Sequence, residues 1–192
     1  STGKIIGYNY GIYTTNNGTG ATRIETAGSV LGKISAGVSG NNSGANTTDL
    51  SIIQSGGSIE GVNRGIWAIN NGKGSTLIQT AGDVNGTKEH GIDASNTGSS
   101  QDLAIVQTAG KILGYKNGIL ANNSGTGGST TIQTAGSIIG TTLNGLSITN
   151  TATAKDVTIT QTSGTITGQT TGIYTVNHGS GVIAITQSAG SI

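Results

Sequence analysis

The acidic residues are the side chains of this sequence that could carry out catalysis. Cleavage of a sugar chain needs two carboxyl groups close together, one to protonate the leaving oxygen and one to activate the attacking group. The chain has eight acids: Glu25, Asp49, Glu60, Asp83, Glu89, Asp93, Asp102 and Asp156. When the sequence is aligned on its internal repeat, no acid has a second acid at the same position of the adjacent repeat. Asp93 stands alone, and Asp83 aligns with Lys111, which predicts a weak ion pair. The pattern therefore predicts no catalytic residues and no enzyme.

Metal and phosphate chemistry have no support in the sequence either. His90 and His178 lie at different positions of different repeats, so they form neither a ligand pair nor a nucleophile–base pair. The stretch NGKGST at 71–76 lacks the spacing of a phosphate-binding loop, and no G-G-x-G-x-D calcium repeat occurs. Cysteine is absent, which removes thiol chemistry. We expect no metal site and no cofactor.

The composition favours short strands and tight turns. The 192 residues include 35 glycines, five tyrosines and one tryptophan, with no proline, cysteine, methionine or phenylalanine. Glycine does not recur at every third residue, which excludes collagen, and the low charge is unlike that of a typical disordered tail. The net charge is +1 and the basic residues are scattered along the sequence, so we expect no nucleic-acid partner.

A short phrase returns through the chain and marks a repeat. It reads STLIQTAGDVNG at 75–86, TIQTAGSIIG at 131–140 and ITQTSGTITG at 159–168. The glycine of each phrase starts a new unit, and the units begin near residues 3, 28, 57, 82, 110, 136 and 164. Each unit has 25–29 residues in three short segments without helical periodicity, which indicates strands. We predict an all-β fold, a parallel β-helix (β-solenoid) of about seven coils, with residues 1–192 forming a single segment of a longer solenoid.

Asparagine occupies one position of every unit. The column consists of Asn16, Asn42, Asn70, Asn96, Asn123, Asn150 and Asn177. Stacked amides can hydrogen-bond to one another along the axis of a solenoid, and asparagine tolerates the left-handed conformation of a corner. A second column, with Glu25 in the first place, is expected to stack in the same way: Gln54, Gln79, Gln107, Gln133, Gln161 and Gln187. The alternative is that these residues only mark turns, which explains their type but not the unbroken register.

Odd and even units differ, so the true repeat is a pair of coils. Even units have one more residue between their first two inner glycines, and they alone carry Asp49, Asp102 and Asp156. We interpret this as a way to hold like charges about 9.6 Å apart rather than about 4.8 Å apart. In the third segment, Ile78 of an odd unit is one position out of step with Ile105 of an even unit. This offset predicts a bulge or a different corner.

One column of side chains could bind a ligand. Its members are Tyr13, Trp67, Leu120 and Tyr174. Each follows the inward aliphatic residue of an odd unit, so these side chains should point outward, about 9.6 Å apart. Such a track could stack on a polysaccharide or contact a protein. The alternative is that tyrosine and tryptophan are simply good strand residues that cover smaller neighbours.

These phrases resemble the passenger region of bacterial autotransporters, the type V secreted surface proteins. The resemblance is to long alphaproteobacterial passengers built from units such as ITQTSGTITGQTTGIYT, residues 159–175, and it covers the whole chain in repeat style. It implies a right-handed parallel β-helix, a handedness that parallel-strand crossovers also prefer. It further implies export to the bacterial cell surface or the extracellular medium, with membrane contact only through a barrel domain outside this segment.

The expected function is that of an exported structural stalk or adhesin segment, because seven similar units carry no divergent catalytic patch. Its partner would be a host cell-surface protein or glycan, or copies of the chain stacked end to end. Two alternatives stay open. One is a released passenger that binds a host receptor as a signalling or virulence factor. The other is a polysaccharide-binding or polysaccharide-processing β-helix, which the positions of the acids disfavour.

Overall fold

The chain folds into three parallel β-sheets that wind around one core. The computed structural model describes residues 3–192, which contain 21 strands and no helix. The strands are numbered in chain order, and each coil contributes one strand to each sheet.

The bounds of the strands follow the three segments of the sequence repeat. The first sheet contains β1 (Lys4–Gly7), β4 (Ser29–Gly32), β7 (Ser58–Gly61), β10 (Asp83–Gly86), β13 (Lys111–Gly114), β16 (Ser137–Gly140) and β19 (Ile166–Gly168). The second contains β2 (Ile12–Asn16), β5 (Ala36–Asn42), β8 (Arg64–Asn70), β11 (Ile92–Asn96), β14 (Ile119–Asn123), β17 (Asn144–Asn150) and β20 (Thr171–Asn177). The third contains β3 (Thr22–Thr26), β6 (Leu50–Gln54), β9 (Thr76–Thr80), β12 (Leu103–Gln107), β15 (Thr130–Thr134), β18 (Val157–Gln161) and β21 (Ile183–Gln187).

Equivalent residues of successive coils lie directly beside one another. In the first sheet Val84 pairs with Ile59 on one side and with Ile112 on the other. All strand pairs are parallel, and each strand pairs with the equivalent strands of the coils before and after it. The architecture is a right-handed parallel β-helix of about seven coils, as predicted.

Columns of aliphatic side chains fill the interior. Ile66, Ile92 and Ile119 of the second sheet lie in one column and are fully buried, as are Ile78 and Ile105 of the third sheet. Full burial of one such side chain contributes about 1.5–3 kcal/mol. A single coil cannot enclose its own apolar face, so each coil depends on its neighbours. This dependence explains why the same residue types recur at the same positions.

The corner between the first and second strands is too tight for any residue but glycine at its start. A Cβ atom on Gly86 would lie 1.8 Å from the carbonyl oxygen of His90, and one on Gly114 would lie 1.8 Å from that of Asn117. A Cβ atom on Gly61 would likewise lie 1.9 Å from the carbonyl oxygen of Arg64. Because the glycine that ends the first strand has no side chain, the carbonyl oxygen of the last corner residue can lie directly against it.

The corner between the third strand and the next coil alternates between two forms. Two residues separate Gln107 from Gly110 in an even coil, whereas one residue separates Thr134 from Gly136 in an odd coil. Gly110 takes a left-handed conformation, with φ of 77°, as do Gly57 and Gly164 after the other even coils and Gly190 after the seventh coil, which has the same two-residue spacing. The extra residue and the left-handed glycine account for the offset between Ile78 and Ile105, which do lie in register.

The predicted glutamine column is wrong for the same reason. Gln107 pairs with Thr80 and Thr134, while Gln79 and Gln133 pair with Val106, one position away and on the outward face. The inward glutamines are Gln54, Gln107 and Gln161, which are buried, and Gln187 of the last coil, which pairs with Gln161. Nε2 of Gln107 donates hydrogen bonds to the carbonyl oxygens of Gly110 and Ser137, at 2.9 and 3.2 Å. An inward glutamine therefore closes this corner through backbone hydrogen bonds, and Gln161 and Gln187 are the two predicted glutamines that pair with each other.

Candidate functional site

The seven asparagines end the strands of the second sheet and lie in one column. Asn42 pairs with Asn16 and Asn70, and the register continues unchanged to Asn150 and Asn177. The asparagines of the inner five coils are buried, with 0–1% of their surface exposed. None of them takes the left-handed conformation, because every positive φ angle within residues 3–192 belongs to a glycine.

The amides of this column hold the second corner, which joins the second strand of a coil to the third. Nδ2 of Asn96 donates to the carbonyl oxygens of Gln101 and Asp102, at 2.9 and 2.8 Å, and Oδ1 accepts from the Thr76 hydroxyl at 2.6 Å. In an odd coil, Oδ1 of Asn70 instead accepts from the N–H of Gly72 at 3.0 Å. The expected hydrogen bonds from one asparagine amide to the next do not occur between residues 3 and 192. Each amide donates to carbonyl oxygens of its own loop, and so helps to satisfy the backbone groups of a buried turn.

The aspartates of the even coils bind the coil that follows them. Oδ1 of Asp49 accepts a hydrogen bond from the backbone N–H of Ser75 at 2.8 Å, and Asp102 does the same for Ser129. A Cβ atom on Gly74 would lie 2.4 Å from Oδ1 of Asp49. The alternation therefore pairs an aspartate in one coil with a glycine in the next, which gives it a packing reason besides charge separation.

The outward column of the second sheet that carries the predicted aromatic residues is continuous through all seven coils. Successive coils contribute, in register, Tyr13, Ser39, Trp67, Asp93, Leu120, Ser147 and Tyr174. Tyr13 and Tyr174 are 53% and 49% exposed, whereas Trp67 and Leu120 are partly buried. Tyr13 also packs against Tyr10, with ring centroids 4.9 Å apart. The structure thus brings the four predicted side chains onto one outward face, with small or buried residues between them.

A charged cluster occupies the centre of this face. The guanidinium carbon of Arg64 lies 4.8 Å from the ring centroid of Trp67. Nε of Arg64 donates to Oδ2 of Asp93 at 2.6 Å, and an Nη atom lies 2.9 Å from Glu89. Nζ of Lys116 lies 3.5 Å from the other oxygen of Glu89. Asp93 is therefore paired and not alone as the sequence suggested, and Arg64 covers part of the tryptophan ring.

His90 lies beneath this cluster and is 8% exposed. Its Nδ1 atom accepts from the backbone N–H of Asn117 at 3.4 Å, and its carbonyl oxygen accepts from the N–H of Gly65 at 3.2 Å. Burial lowers the pKa of His90 from its ordinary value of 6.5, although the nearby carboxylate of Asp93 acts in the opposite direction. The imidazole is therefore held neutral at neutral pH, between the coils before and after it.

Sequence reasoning missed Arg64, Glu89 and Lys116. Each stands at or next to the residue that precedes the glycine of the second segment, in the stretches RGI, EHGI and KNGI. That shared position was the signal that could have found them, because the corner places these residues on adjacent coils. The backbone N–H of Lys116 donates to the carbonyl oxygen of Glu89 at 2.6 Å, which shows the stacking directly.

Two acids line a shallow depression on the first sheet. Glu60, Asp83 and Lys111 surround a volume of about 180 Å³, together with Asn85 and Leu113. The predicted ion pair between Asp83 and Lys111 does not form, because Oδ1 of Asp83 accepts from the backbone N–H of Lys111 at 2.9 Å. The depression is smaller than the pockets of about 300–1,000 Å³ that usually hold small molecules.

Residues 3–192 contain no group of three or more histidine or acidic side chains placed to hold a metal ion. Within the same range, no helix is long and apolar enough to cross a membrane.

Comparison of the chain with family models, with curated proteins and with solved structures found no match. The class that the fold defines is the parallel β-solenoid.

Proposed function

We propose that this chain is a segment of an exported bacterial surface protein, in which the β-helix serves as a stalk and presents an adhesive face. The observation that carries the proposal is the position of the aromatic residues. All five tyrosines and the single tryptophan lie either in the outward column of the second sheet or at the corner that leads into it. They are Tyr8, Tyr10, Tyr13, Trp67, Tyr115 and Tyr174.

The regularity of the coils supports the role of a stalk. The aliphatic columns and the asparagine column run without interruption through the coils. Each coil contacts only its neighbours, so length can grow by adding coils without a change of core. The resemblance of the repeat to autotransporter passengers agrees with export and with a place at the cell surface.

Partners that this proposal allows are a host cell-surface protein, a host glycan, or further copies of the chain. Copies stacked end to end would pair the last coil of one copy with the first coil of the next, as neighbouring coils pair within the chain. Sedimentation over a range of protein concentrations tests this partner. Stacking predicts assemblies that grow with protein concentration, whereas a monomer at every concentration would contradict stacking.

Binding to cells tests the adhesive role. Labelled protein is incubated with cultured host cells, and the wild type is compared with a Tyr13→Ser, Tyr174→Ser variant. Ser39 and Ser147 already occupy the same column, so serine is compatible with the sheet. We expect loss of most of the binding. Equal binding by both proteins would show that the aromatic face is not the binding surface. Absence of binding by either protein would contradict the adhesive role.

Two other functions make different predictions, one for cell binding and one for product release. A released passenger that signals through a host receptor would bind cells saturably at sub-micromolar concentration and change their behaviour in soluble form. A polysaccharide-processing enzyme would release reducing ends or unsaturated sugars, and its carboxylates would be Glu60 and Asp83. Glu60→Gln and Asp83→Asn variants would then lose product release without loss of cell binding.

A further inference from the structure

The corner between the first and second strands collects basic residues that the sequence scatters. This corner is named the first corner, and it includes residues 8–11, 33–36, 62–64, 87–91 and 115–118 in the first five coils. Four of the nine basic residues of the chain lie there, one on each of four consecutive coils: Lys33, Arg64, Lys88 and Lys116. Successive coils are about 4.8 Å apart, so the corner carries one cation at each of four successive steps along the axis.

The accessible charge of the first corner is positive. Its two acids close to the cations, Glu89 and Asp93, are partly buried, and Arg64 contacts both of them. Lys33 and Lys88 are exposed, and neither belongs to an ion pair within residues 3–192. Glu60 faces outward from the first sheet, so it lies off the corner. An approaching ligand therefore meets uncompensated ammonium groups.

Aromatic side chains lie on the same corner and on the column beside it. Tyr8 and Tyr115 lie on the first corner and are 76% and 52% exposed. Tyr13 and Trp67 follow on the adjacent column of the second sheet. Exposed aromatic rings provide apolar faces for the C–H groups of sugar rings, and ammonium groups make charge-assisted hydrogen bonds with carboxylates and sulfates.

We propose that the first corner and the aromatic column together bind an anionic polysaccharide that carries carboxylate or sulfate groups. Lys33 and Lys88 lie two coils apart, which suits a ligand with charges repeated along its length, and the rings suit a ligand with apolar sugar faces. A nucleic acid fits less well, because its affinity depends on many phosphate contacts and the chain has a net charge of only +1. The inference rests on the proposed adhesive function and names the class of its partner.

Binding to defined polysaccharides tests the inference. Heparin provides sulfates, hyaluronan provides carboxylates, dextran is neutral, and poly-dT provides phosphates on a nucleic acid. We expect heparin or hyaluronan to bind and dextran not to bind. The variant Lys33→Gln, Lys88→Gln should lose about tenfold in affinity, because each lysine contacts an anion. The matched control Lys73→Gln, Lys155→Gln removes the same charge from exposed lysines of the second corner and should change affinity less than about twofold.

Several outcomes would overturn the inference. Equal losses in the two lysine variants would mean that only net charge matters. Absence of binding to both acidic polysaccharides would remove the ligand class, and equal affinity for poly-dT would assign the corner to nucleic acid. Thermal unfolding of each variant shows whether it is folded. Lysine-to-glutamine changes at exposed positions should leave the unfolding transition unchanged.

Enzymatic digestion of the host cells separates this inference from the proposed function. Heparinase and hyaluronidase remove the acidic polysaccharides, and cell binding is measured before and after treatment. Binding that survives digestion would agree with the adhesive function but would contradict an acidic polysaccharide as the partner. Binding that disappears supports both, and cells that bind no protein before digestion contradict the adhesin while the purified polysaccharides still test the corner.

Discussion

Nε of Arg64 donates a hydrogen bond to Oδ2 of Asp93 at 2.6 Å, across the gap between the third and fourth coils. The two side chains are 22% and 11% exposed, so water screens them only in part. Arg64 also lies against Trp67, which fixes the guanidinium over the ring. The pair therefore joins two coils at the centre of the proposed contact face.

A double-mutant cycle on this pair should give a measurable coupling energy. We expect Arg64→Met and Asp93→Asn to be coupled by about 1–2 kcal/mol, because the hydrogen bond is charged and partly buried. Urea unfolding of the four proteins measures it. The exposed pair Arg23 and Glu25, with 60% and 57% exposure, is the control and should give less than about 0.5 kcal/mol. Coupling of the same size in both pairs would contradict the special role of Arg64.

Removal of one inward asparagine should cost more than removal of its outward neighbour. Asn96→Ala removes the amide hydrogen bonds to the carbonyl oxygens of Gln101 and Asp102 and the buried acceptor of the Thr76 hydroxyl, and we expect a loss of about 2–4 kcal/mol. Asn122→Ala, on the outward face of the next coil, should cost less than about 0.5 kcal/mol. Equal effects in urea unfolding would show that the amide column does not hold the second corner.

The left-handed glycines of the corner between the third strand and the next coil should tolerate no side chain. Gly110→Ala forces a Cβ atom onto a residue with φ of 77° and places it 2.5 Å from backbone atoms of Gly82. We expect a loss of at least about 2 kcal/mol or failure to fold. Gly20→Ala is the matched control, because a Cβ atom there meets nothing within 4 Å. A soluble Gly110→Ala protein with wild-type stability would disprove the alternating corner.

Stability should fall below neutral pH because of His90. Burial lowers the pKa of His90 in the folded chain, so the unfolded chain takes up a proton first as the pH drops through about 6.5. The free energy of unfolding is intact above that pH and decreases as the pH falls below it. Arg64, Lys116, Glu89 and Asp93 surround the imidazole, and the two acids moderate the effect.

The variant His90→Asn tests this pH dependence, since Asn117 occupies the equivalent position of the next coil. Unfolding in urea between pH 7 and pH 5.5 should show a smaller slope in this variant than in the wild type. His178→Asn, at an exposed position, provides the control and should keep the wild-type slope. Equal slopes in all three proteins would exclude His90 as the source.

The sequence predicted the fold because each coil repeats the same residue types at the same positions. Ile66, Ile92 and Ile119 pack only if they stack, so their spacing gives the number of coils directly. The inward position of the glutamines could not be read in the same way. It depends on the φ angle of Gly110, which decides whether one more residue fits before the next coil.

The charged cluster was hidden for a similar reason. Arg64 precedes its glycine by one residue and Asp93 follows its own by two, so the aligned sequence places them in different columns. Their side chains meet diagonally across neighbouring strands, with a long guanidinium reaching a short carboxylate. Sequence columns report only direct neighbours, and contacts of this kind need the side-chain positions.

Equivalent residues of successive coils lie in straight columns, and the contact face exists only if they do. Spin-label distances test it, and the absence of cysteine makes labelling specific. Thr15 is labelled together with Asn122, Thr149 or Val176, which belong to one outward column beside the aromatic one. We predict distances between the labelled positions of about 19, 24 and 29 Å, one strand spacing more for each added coil. Distances that do not increase in equal steps would contradict the stacked column and the contact face built on it.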